Sequence, residues 1–441
     1  MRKTKYFYVS LSLILALSFV IAACGSGQTT DESSSNSQSA DEEQVTIKFA
    51  NWVSAEDATK ENVSKVIEAF EQEHPNVTVE NVAIPFDQMR QQLLTMTAGG
   101  NPPDVMMLNG PWSQELGAQG ALLDLTEIAG EDYLNDNWPG ALDAGKYKDQ
   151  LYAVPFGLSP HAFWYNKDLM EKAGLDPENP PKTMDELNEA MAQIKDKLGP
   201  DGVYPIGLDT SKIDYALVHF WPWFYAFDAR PLYNDESNFN TAEVKNALEW
   251  MRQAVKNEYT PTGLQIKELR ELMAKDNIVF QMDGPYLVGI LRSLNPELEG
   301  DAFYEKFGVT TVPVGDNGKS ETLADLHQLG ISAESEHQEI AWEFVKFLTS
   351  SETSINDYQI PYGVIPPLKS SVQDNEQLSD PVSQAYINEI FSTMVGGPYG
   401  PEYGQAQQLV IQAMQEAALS DKPIEDIVRE TDEQLSGIYG Q

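Results

Sequence analysis

The sequence predicts an α/β fold in which parallel strands are joined by crossover helices. Two observations point to it. From Val45 onward, short segments rich in β-branched and apolar residues alternate with amphipathic helical segments. No internal repeat and no change of composition after residue 44 interrupts that alternation. At about 100–200 residues per domain, the 441 residues correspond to two to four domains or two large lobes. Two lobes joined by several strand crossings would leave no linker-like break in the sequence.

Each element has its own signal. Val45, Ile47 and Phe49 alternate and predict a strand. Ser54 with Asp57 three residues later marks a helix start, and Val63, Val66, Ile67 and Phe70 fall on one helical face before Pro75-Asn76 ends it. Val77, Val79 and Val82 predict a second strand, and a helix follows through Met89, Leu93 and Met96 to Gly99-Gly100. Pro103-Asp104-Val105-Met106-Met107-Leu108 reads as a buried third strand. Strand, helix, strand, helix, strand at this spacing predicts a parallel sheet with crossover helices. Further on, Thr183 and Glu186 form a capping box ahead of an apolar face made by Leu187, Met191, Ile194 and Leu198. Thr241 opens a helix striped by Val244, Leu248, Met251 and Val255. Ile278-Val279-Phe280 and Val309 to Val312 read as strands, and Ile340, Phe344, Phe347 and Leu348 stripe another helix.

Composition excludes several partners. The 29 Lys and Arg stand against 68 Asp and Glu, a net charge of −39. Such a field repels nucleic acid and anionic membrane surfaces. A strongly anionic substrate would need a local Arg cluster, and none is visible. The single cysteine, Cys24, excludes an internal disulfide framework and any zinc or iron–sulfur site built on thiolates.

Residues 1–23 lie apart from the fold. Arg2, Lys3 and Lys5 precede an apolar stretch from Leu11 to Ala23, short for a membrane-spanning helix of ~20 residues. It ends in Ile21-Ala22-Ala23-Cys24-Gly25, which resembles a bacterial lipoprotein signal. The resemblance implies cleavage before Cys24 and lipid attachment at its sulfur, a stable anchor if two or three acyl chains are present. Residues 24–44, rich in Ser, Asp and Glu, cannot bury enough surface to fold and read as a tether.

Catalytic and metal motifs fail on inspection. Gly140 to Lys146 has phosphate-loop spacing, but Tyr147 stands where a Ser or Thr must hold magnesium. Gly157-Leu-Ser159-Pro-His161 lacks the closing glycine of a nucleophile elbow, and Pro160 spoils its turn. None of the five histidines (His74, His161, His219, His327 and His337) has helical or ribbon spacing to another, so a histidine metal site is not expected. No loop has EF-hand spacing. With 68 acidic residues, paired carboxylates carry almost no information about glycosidase chemistry. No cofactor is indicated.

The aromatic residues carry more. Trp52 sits just past the first strand, and Trp112 follows the third after Asn109-Gly110-Pro111. Open α/β sheets bind ligands past the carboxyl ends of their strands. Aromatic faces there suit sugar rings, while Asp, Asn and Glu edges accept hydroxyl donors. In His219-Phe-Trp-Pro-Trp-Phe-Tyr-Ala-Phe227, one of Trp221 and Trp223 is expected to touch ligand and the other to pack, whereas Phe220, Phe224, Phe227, Trp250 and Trp342 are expected in the core.

The order of motifs is similar to that of the extracellular sugar-binding proteins of ABC importers, maltose/oligosaccharide type. The carriers are Phe70-Glu-Gln-Glu-His-Pro-Asn-Val77, Pro103-Asp104-Val105 and Gly120-Ala-Leu-Leu-Asp-Leu125. The strongest is Tyr152-Ala-Val-Pro155 leading to Trp164-Tyr165-Asn166-Lys167-Asp168-Leu169 and Ala173-Gly174-Leu175. Met282-Asp283-Gly284-Pro285-Tyr286, Gly330-Ile331-Ser332, Ala341-Trp342-Glu343-Phe344, Tyr362-Gly363-Val364-Ile365-Pro366 and Gly396-Gly397-Pro398-Tyr399 complete the series. Two departures fall where ligand would be touched: Ala324-Asp325-Leu326-His327 replaces paired glycines, and Tyr286 replaces a tryptophan.

The resemblance implies a two-lobe periplasmic-binding-protein-like fold with a hinged ligand cleft. Lobe 1 would hold residues 45–157 and 313–352, and lobe 2 residues 158–312 and 353–441. Crossings would lie near Phe156 to His161, Val309 to Pro313 and Ser350 to Pro361. It implies a lipid-anchored monomer on the outer face of the cell membrane, without enzymatic activity, that binds carbohydrate and hands it to permease transmembrane subunits. The expected ligand contacts are Trp52, Asn109, Trp112, His161, Asp214, Trp221 or Trp223, Asp283, Tyr286, His327 and Tyr399. A lipid-anchored glycoside-degrading enzyme and a binding protein for a peptide, metal or polyamine are the alternatives.

Overall fold

Alternation in Val45–Asn51 produces β1, with Ile47 and Phe49 buried on the core side. The other long strands are β2 (Val77–Ala83), β3 (Val105–Leu108), β4 (Val154–Leu158), β5 (Ala162–Asn166), β6 (Tyr204–Gly207), β7 (Ile278–Asp283), β8 (Phe307–Thr310) and β9 (Leu326–Ile331). This computed structural model describes residues 44–57, 59–233, 236–315, 317–373 and 375–440. The expected export signal, Cys24 and the expected tether lie outside the described residues, apart from residue 44.

The strands form two mixed sheets. The first has the order β2-β1-β3-β9-β4, the second β8-β5-β7-β6. The predicted strand–helix–strand–helix–strand run becomes the parallel trio β2-β1-β3. Each sheet also contains one strand that runs against the rest: β9 is antiparallel to β3 and β4, and β5 is antiparallel to β7 and β8. Both reversed strands are entered from the other sheet. β4 leads into β5 through Ser159, Pro160 and His161, too few residues for a crossover within one sheet, and β8 leads to β9 through residues 311–325.

That connectivity places the two carboxyl edges together. The last residue of β4, Leu158, pairs with Leu326 at the start of β9. The last residue of β7, Asp283, pairs with Ala162 at the start of β5. Because β1, β3 and β4 run in one direction, the carboxyl edge of the first sheet meets that of the second across the two crossings. Leu158 also exchanges backbone hydrogen bonds with Ile365, so a third segment passes the same point.

Helices follow their stripes. Lys60–Glu73 buries Val63, Val66, Ile67 and Phe70. It begins later than Ser54 and Asp57 predict, because the buried Asn51 Oδ1 accepts from the Ser54 amide and folds the chain into a 3-10 turn first. Met184–Leu198 carries the predicted capping box, and Thr241 caps Ala242–Lys256. One core cluster packs Phe49, Phe70 and Phe344 against the first sheet. A second packs the second sheet against helices that include Tyr403–Leu419 and Ile424–Tyr439. A third lies at the junction, with Leu158, Ala162, Trp164 and Tyr386. Each full burial of a Leu or Phe contributes about 1.5–3 kcal/mol, so either sheet keeps its own core if the crossings flex. No helix among the described residues is long and apolar enough to cross a membrane.

Candidate functional site

The first wall of the junction is aromatic. Trp52 follows β1 in the turn that Asn51 fixes, through bonds to the Ser54 amide and the Asn81 side chain. Asn109 follows β3 and caps helix Gly110–Ala118 by accepting from the Trp112 amide at 3.1 Å, which sets Trp112 in the first turn. Trp52 packs edge-on against Phe86 (5.3 Å), Trp112 (5.9 Å) and His327 (5.0 Å). It is thereby only 2% exposed, whereas Phe86 is 51% exposed and Trp112 is half-buried. Trp52 therefore backs the wall, and the rings that can meet a ligand are Phe86 and Trp112. The wall continues through His327, Tyr362 and Tyr358, the last stacked on Phe156. Burial lowers the His327 pKa to about 4, so the ring is neutral and its Nδ1 has no partner among the described residues.

The second wall is polar. Asp283 ends β7 fully buried and receives Arg270 in a two-pronged ion pair at 2.8 and 2.7 Å, with Gln281 and the Gly284 amide at 2.9 Å each. Burial alone would raise its pKa, but Arg270 overrides that and holds it at about 2. The Arg270 guanidinium also lies 5.3 Å from the Tyr286 ring centre. The Tyr286 hydroxyl meets Tyr215 (2.8 Å) and His161 (3.2 Å), and the Tyr215 hydroxyl donates to Asp325 at 3.3 Å. Asp325 and His327 lie two residues apart around the start of β9 and so join the two walls.

Tyr399 enters from the C-terminal segment. Its ring packs edge-on against Tyr403 and lies across two glycines: a Cβ at Gly110 or Gly397 would come within 2.9 Å of Tyr399 Cδ2. It therefore stands beside Asn109 and Trp112.

The structure thus brings together Trp52, Asn109, Trp112, His161, Asp283, Tyr286, His327 and Tyr399, with three of them, Trp52, His161 and Asp283, in supporting positions. Asp283 is consumed by Arg270, and His161 is only 1% exposed. Two further expectations are corrected, that one of Trp221 and Trp223 touches ligand and that Asp214 does. Trp221 and Trp223 are both core: Trp221 donates to the Tyr403 hydroxyl, and Trp223 packs at a tilt against Trp250. Helix Asp214–Ala226 is apolar nearly all round, so it buries both. Asp214 is exposed and accepts from Gln407 and Gln408, turned away from Tyr215. Sequence reasoning missed Phe86, Tyr215, Arg270, Asp325, Tyr358 and Tyr362. Of these, Asp325 and Tyr362 stood in motifs already singled out.

Two histidines distant in sequence come together at the junction. His161 and His219 stack at 4.2 Å, and with Asp283 they bring potential ligand atoms within 4.8 Å of one another. The set does not fit a metal cation. Both Asp283 oxygens already accept donors, and the Arg270 charge sits beside them.

The family described as bacterial extracellular solute-binding protein matches residues 40–354. A Brucella abortus protein described as a binding protein is 26% identical over 321 residues, 70% of this chain and 73% of its own length. The maltotriose-binding protein of Pyrococcus abyssi is 22% identical over 372 residues, 80% of this chain and 75% of its own. An ABC transporter solute-binding protein of Thermotoga lettingae, solved with α-D-tagatose, superposes with a TM-score of 0.74 at 25% identity, covering 90% of this chain and all of that one.

Proposed function

Because the chain belongs to the family of bacterial extracellular solute-binding proteins, we propose that it captures a sugar or oligosaccharide outside the cell and delivers it to the transmembrane subunits of an ABC importer. One observation carries the choice of ligand. At the facing carboxyl edges of two sheets stand an aromatic wall with Phe86 and Trp112 open to solvent and a polar wall of neutral hydroxyls. Rings take the apolar faces of a pyranose, and Tyr215, Tyr286 and Asn109 take its hydroxyls. Arg270 is the charged base of the polar wall and is spent on Asp283, so nothing there selects an anion. The relatives that bind maltotriose and tagatose point to the same ligand class.

Binding makes and breaks no bond. The lobes, 45–157 with 313–352 and 158–312 with 353–441, close on the ligand because the closed state binds it better than the open one. What supports this division is that helix Gln338–Ser350 joins the core of the first sheet and the C-terminal helices join that of the second. Cys24 carries the lipid anchor, and the acidic tether holds the monomeric body off the membrane; the lipoprotein-like signal supports both. The test is calorimetry with a panel of neutral sugars that includes maltotriose and tagatose. Saturable binding of one of them is expected. No binding across the panel, with binding of a polyamine or a peptide instead, would overturn the reading.

A further inference from the structure

Asp325 stands where the two walls meet, and its main chain is fixed there. Its amide donates to the Leu323 carbonyl at 2.8 Å, and the amide and hydroxyl of Ser159, on the other crossing, donate to its carbonyl at 3.0 and 3.1 Å. The carboxyl is held by one oxygen. Oδ2 accepts the Tyr215 hydroxyl at 3.3 Å, and Oδ1 takes no hydrogen bond among the described residues. The side chain is 26% exposed, whereas that of Asp283 is fully buried. Tyr215 and Tyr286 face it from the polar wall, Tyr399 from the C-terminal segment, and His327 follows two residues on, so its free oxygen opens between the walls. We infer that Asp325 is the specificity-determining acceptor of the site, with Oδ1 receiving a hydroxyl of the bound sugar. The inference rests on the carbohydrate reading above.

Nothing on the protein competes for that oxygen. No lysine or arginine pairs with Asp325 among the described residues, because Arg270, the cation of the polar wall, is spent on Asp283. His161 Nε2 lies 3.7 Å from Oδ2, and burial holds that ring neutral. Two carboxylate oxygens have room for about four hydrogen bonds, and Tyr215 fills one. Burial pushes the carboxyl up, against the Tyr215 hydroxyl, but only to about 6. At neutral pH it is therefore ionised and can only accept, as the donation from Tyr215 already requires.

Counting protons shows what the ligand must bring. Tyr215 has one hydroxyl proton and gives it to Asp325, so Tyr286 gives its own to Tyr215 at 2.8 Å. Both protons run along the wall toward Asp325, and the wall offers the ligand oxygen lone pairs. A sugar hydroxyl supplies the missing proton. A sugar carboxylate or phosphate supplies none and would set a second negative charge beside the first. Phe86 and Trp112 meet the apolar face of one pyranose much as another, so the discrimination between sugars falls on the acceptor. A site built to bond a hydroxyl rejects an analogue that lacks it more strongly than an apolar surface can.

The test is calorimetry at neutral pH on the wild type and Asp325→Ala, with maltotriose, tagatose and the other neutral sugars of the panel. A hydrogen bond to a charged acceptor is worth about tenfold to a hundredfold in affinity, and Asp325→Ala should lose that much for the sugar that binds. The loss should depend on the ligand. Among monodeoxy analogues of that sugar, one should bind the wild type and Asp325→Ala equally, because the hydroxyl given to Oδ1 is already missing. The loss should also persist in a Tyr215→Phe background, since Oδ1 does not act through Tyr215. Asp325→Asn, which can still accept from Tyr215 but presents an amide donor in place of Oδ1, settles the same points if Asp325→Ala does not fold. An unchanged affinity, a loss equal for every analogue, or a loss that vanishes with Tyr215→Phe would overturn the proposal and leave the carbohydrate reading standing. Failure of every sugar in the panel to bind the wild type would overturn both.

Discussion

Gly110→Ala isolates the contact through which the C-terminal segment reaches the aromatic wall. The added Cβ would stand 2.9 Å from Tyr399 Cδ2 and nearer still to Cε2, whereas carbon atoms rest at about 3.5–4.0 Å. The ring must therefore move by about 1 Å. It has no room to retreat toward Gly397, where the same ring lies equally close, and Tyr403 packs edge-on behind it at 4.8 Å. Overpacking of this kind costs about 1–3 kcal/mol. Because Tyr399 is only half-buried, most of that cost should appear as displacement of the ring toward the ligand space rather than as unfolding. The expected result is a sugar affinity lowered about fivefold or more by calorimetry, with a melting temperature changed by less than about 2 °C. In Tyr399→Ala, which removes the ring, adding Gly110→Ala should have almost no further effect. Equal losses in both backgrounds would refute the contact as the cause.

Trp112→Ala removes a half-buried ring and should weaken sugar binding about tenfold with little change in melting, since aromatic stacking is worth about 0.5–1.5 kcal/mol beyond burial. Trp221→Ala should do the reverse, costing about 3–5 kcal/mol of stability with affinity unchanged in the surviving folded protein; a pattern common to both would contradict their separation. Arg270→Met leaves Asp283 buried without its partner and should destabilise by about 3–5 kcal/mol at neutral pH. The Asp283 pKa is depressed to about 2, so the pair's contribution is present above the ordinary value of 3.8 and is lost as pH falls through about 2. Melting curves of wild type and variant should therefore converge in acid, and parallel curves would refute the ion pair's role. Cys24→Ala should release soluble protein or leave unprocessed precursor in cell fractionation, and a processed, membrane-bound variant would refute the anchor.

The first sheet was legible because its signals are local. Val45–Asn51 alternates, Val105–Leu108 is continuously apolar, and Trp52 and Asn109 follow those strands directly, so their place at the carboxyl edge needs no tertiary knowledge. The polar wall was not legible. His161 and Asp325 are brought together by two crossings 164 residues apart in sequence, and Arg270 reaches Asp283 from a helix that ends before β7 begins. Trp221 and Trp223 misled because a helix apolar on every side does not reveal which face a ligand could see. Phe86 opens helix Phe86–Ala98 and gave no sign in sequence that its exposed ring would lie against Trp112.

The central claim, capture of a neutral sugar by closure of two lobes, is tested most directly by titrating the bound sugar at low and at ~0.5 M salt while following the radius of gyration. The chain carries a net charge of −39, so a cation would be drawn to it over a Debye length of ~10 Å at 0.1 M salt, whereas a neutral sugar feels no such pull. The account predicts an affinity that changes less than about threefold with salt, together with a smaller radius on binding. A steep fall in affinity with salt would contradict the neutral ligand, and binding without compaction would contradict closure.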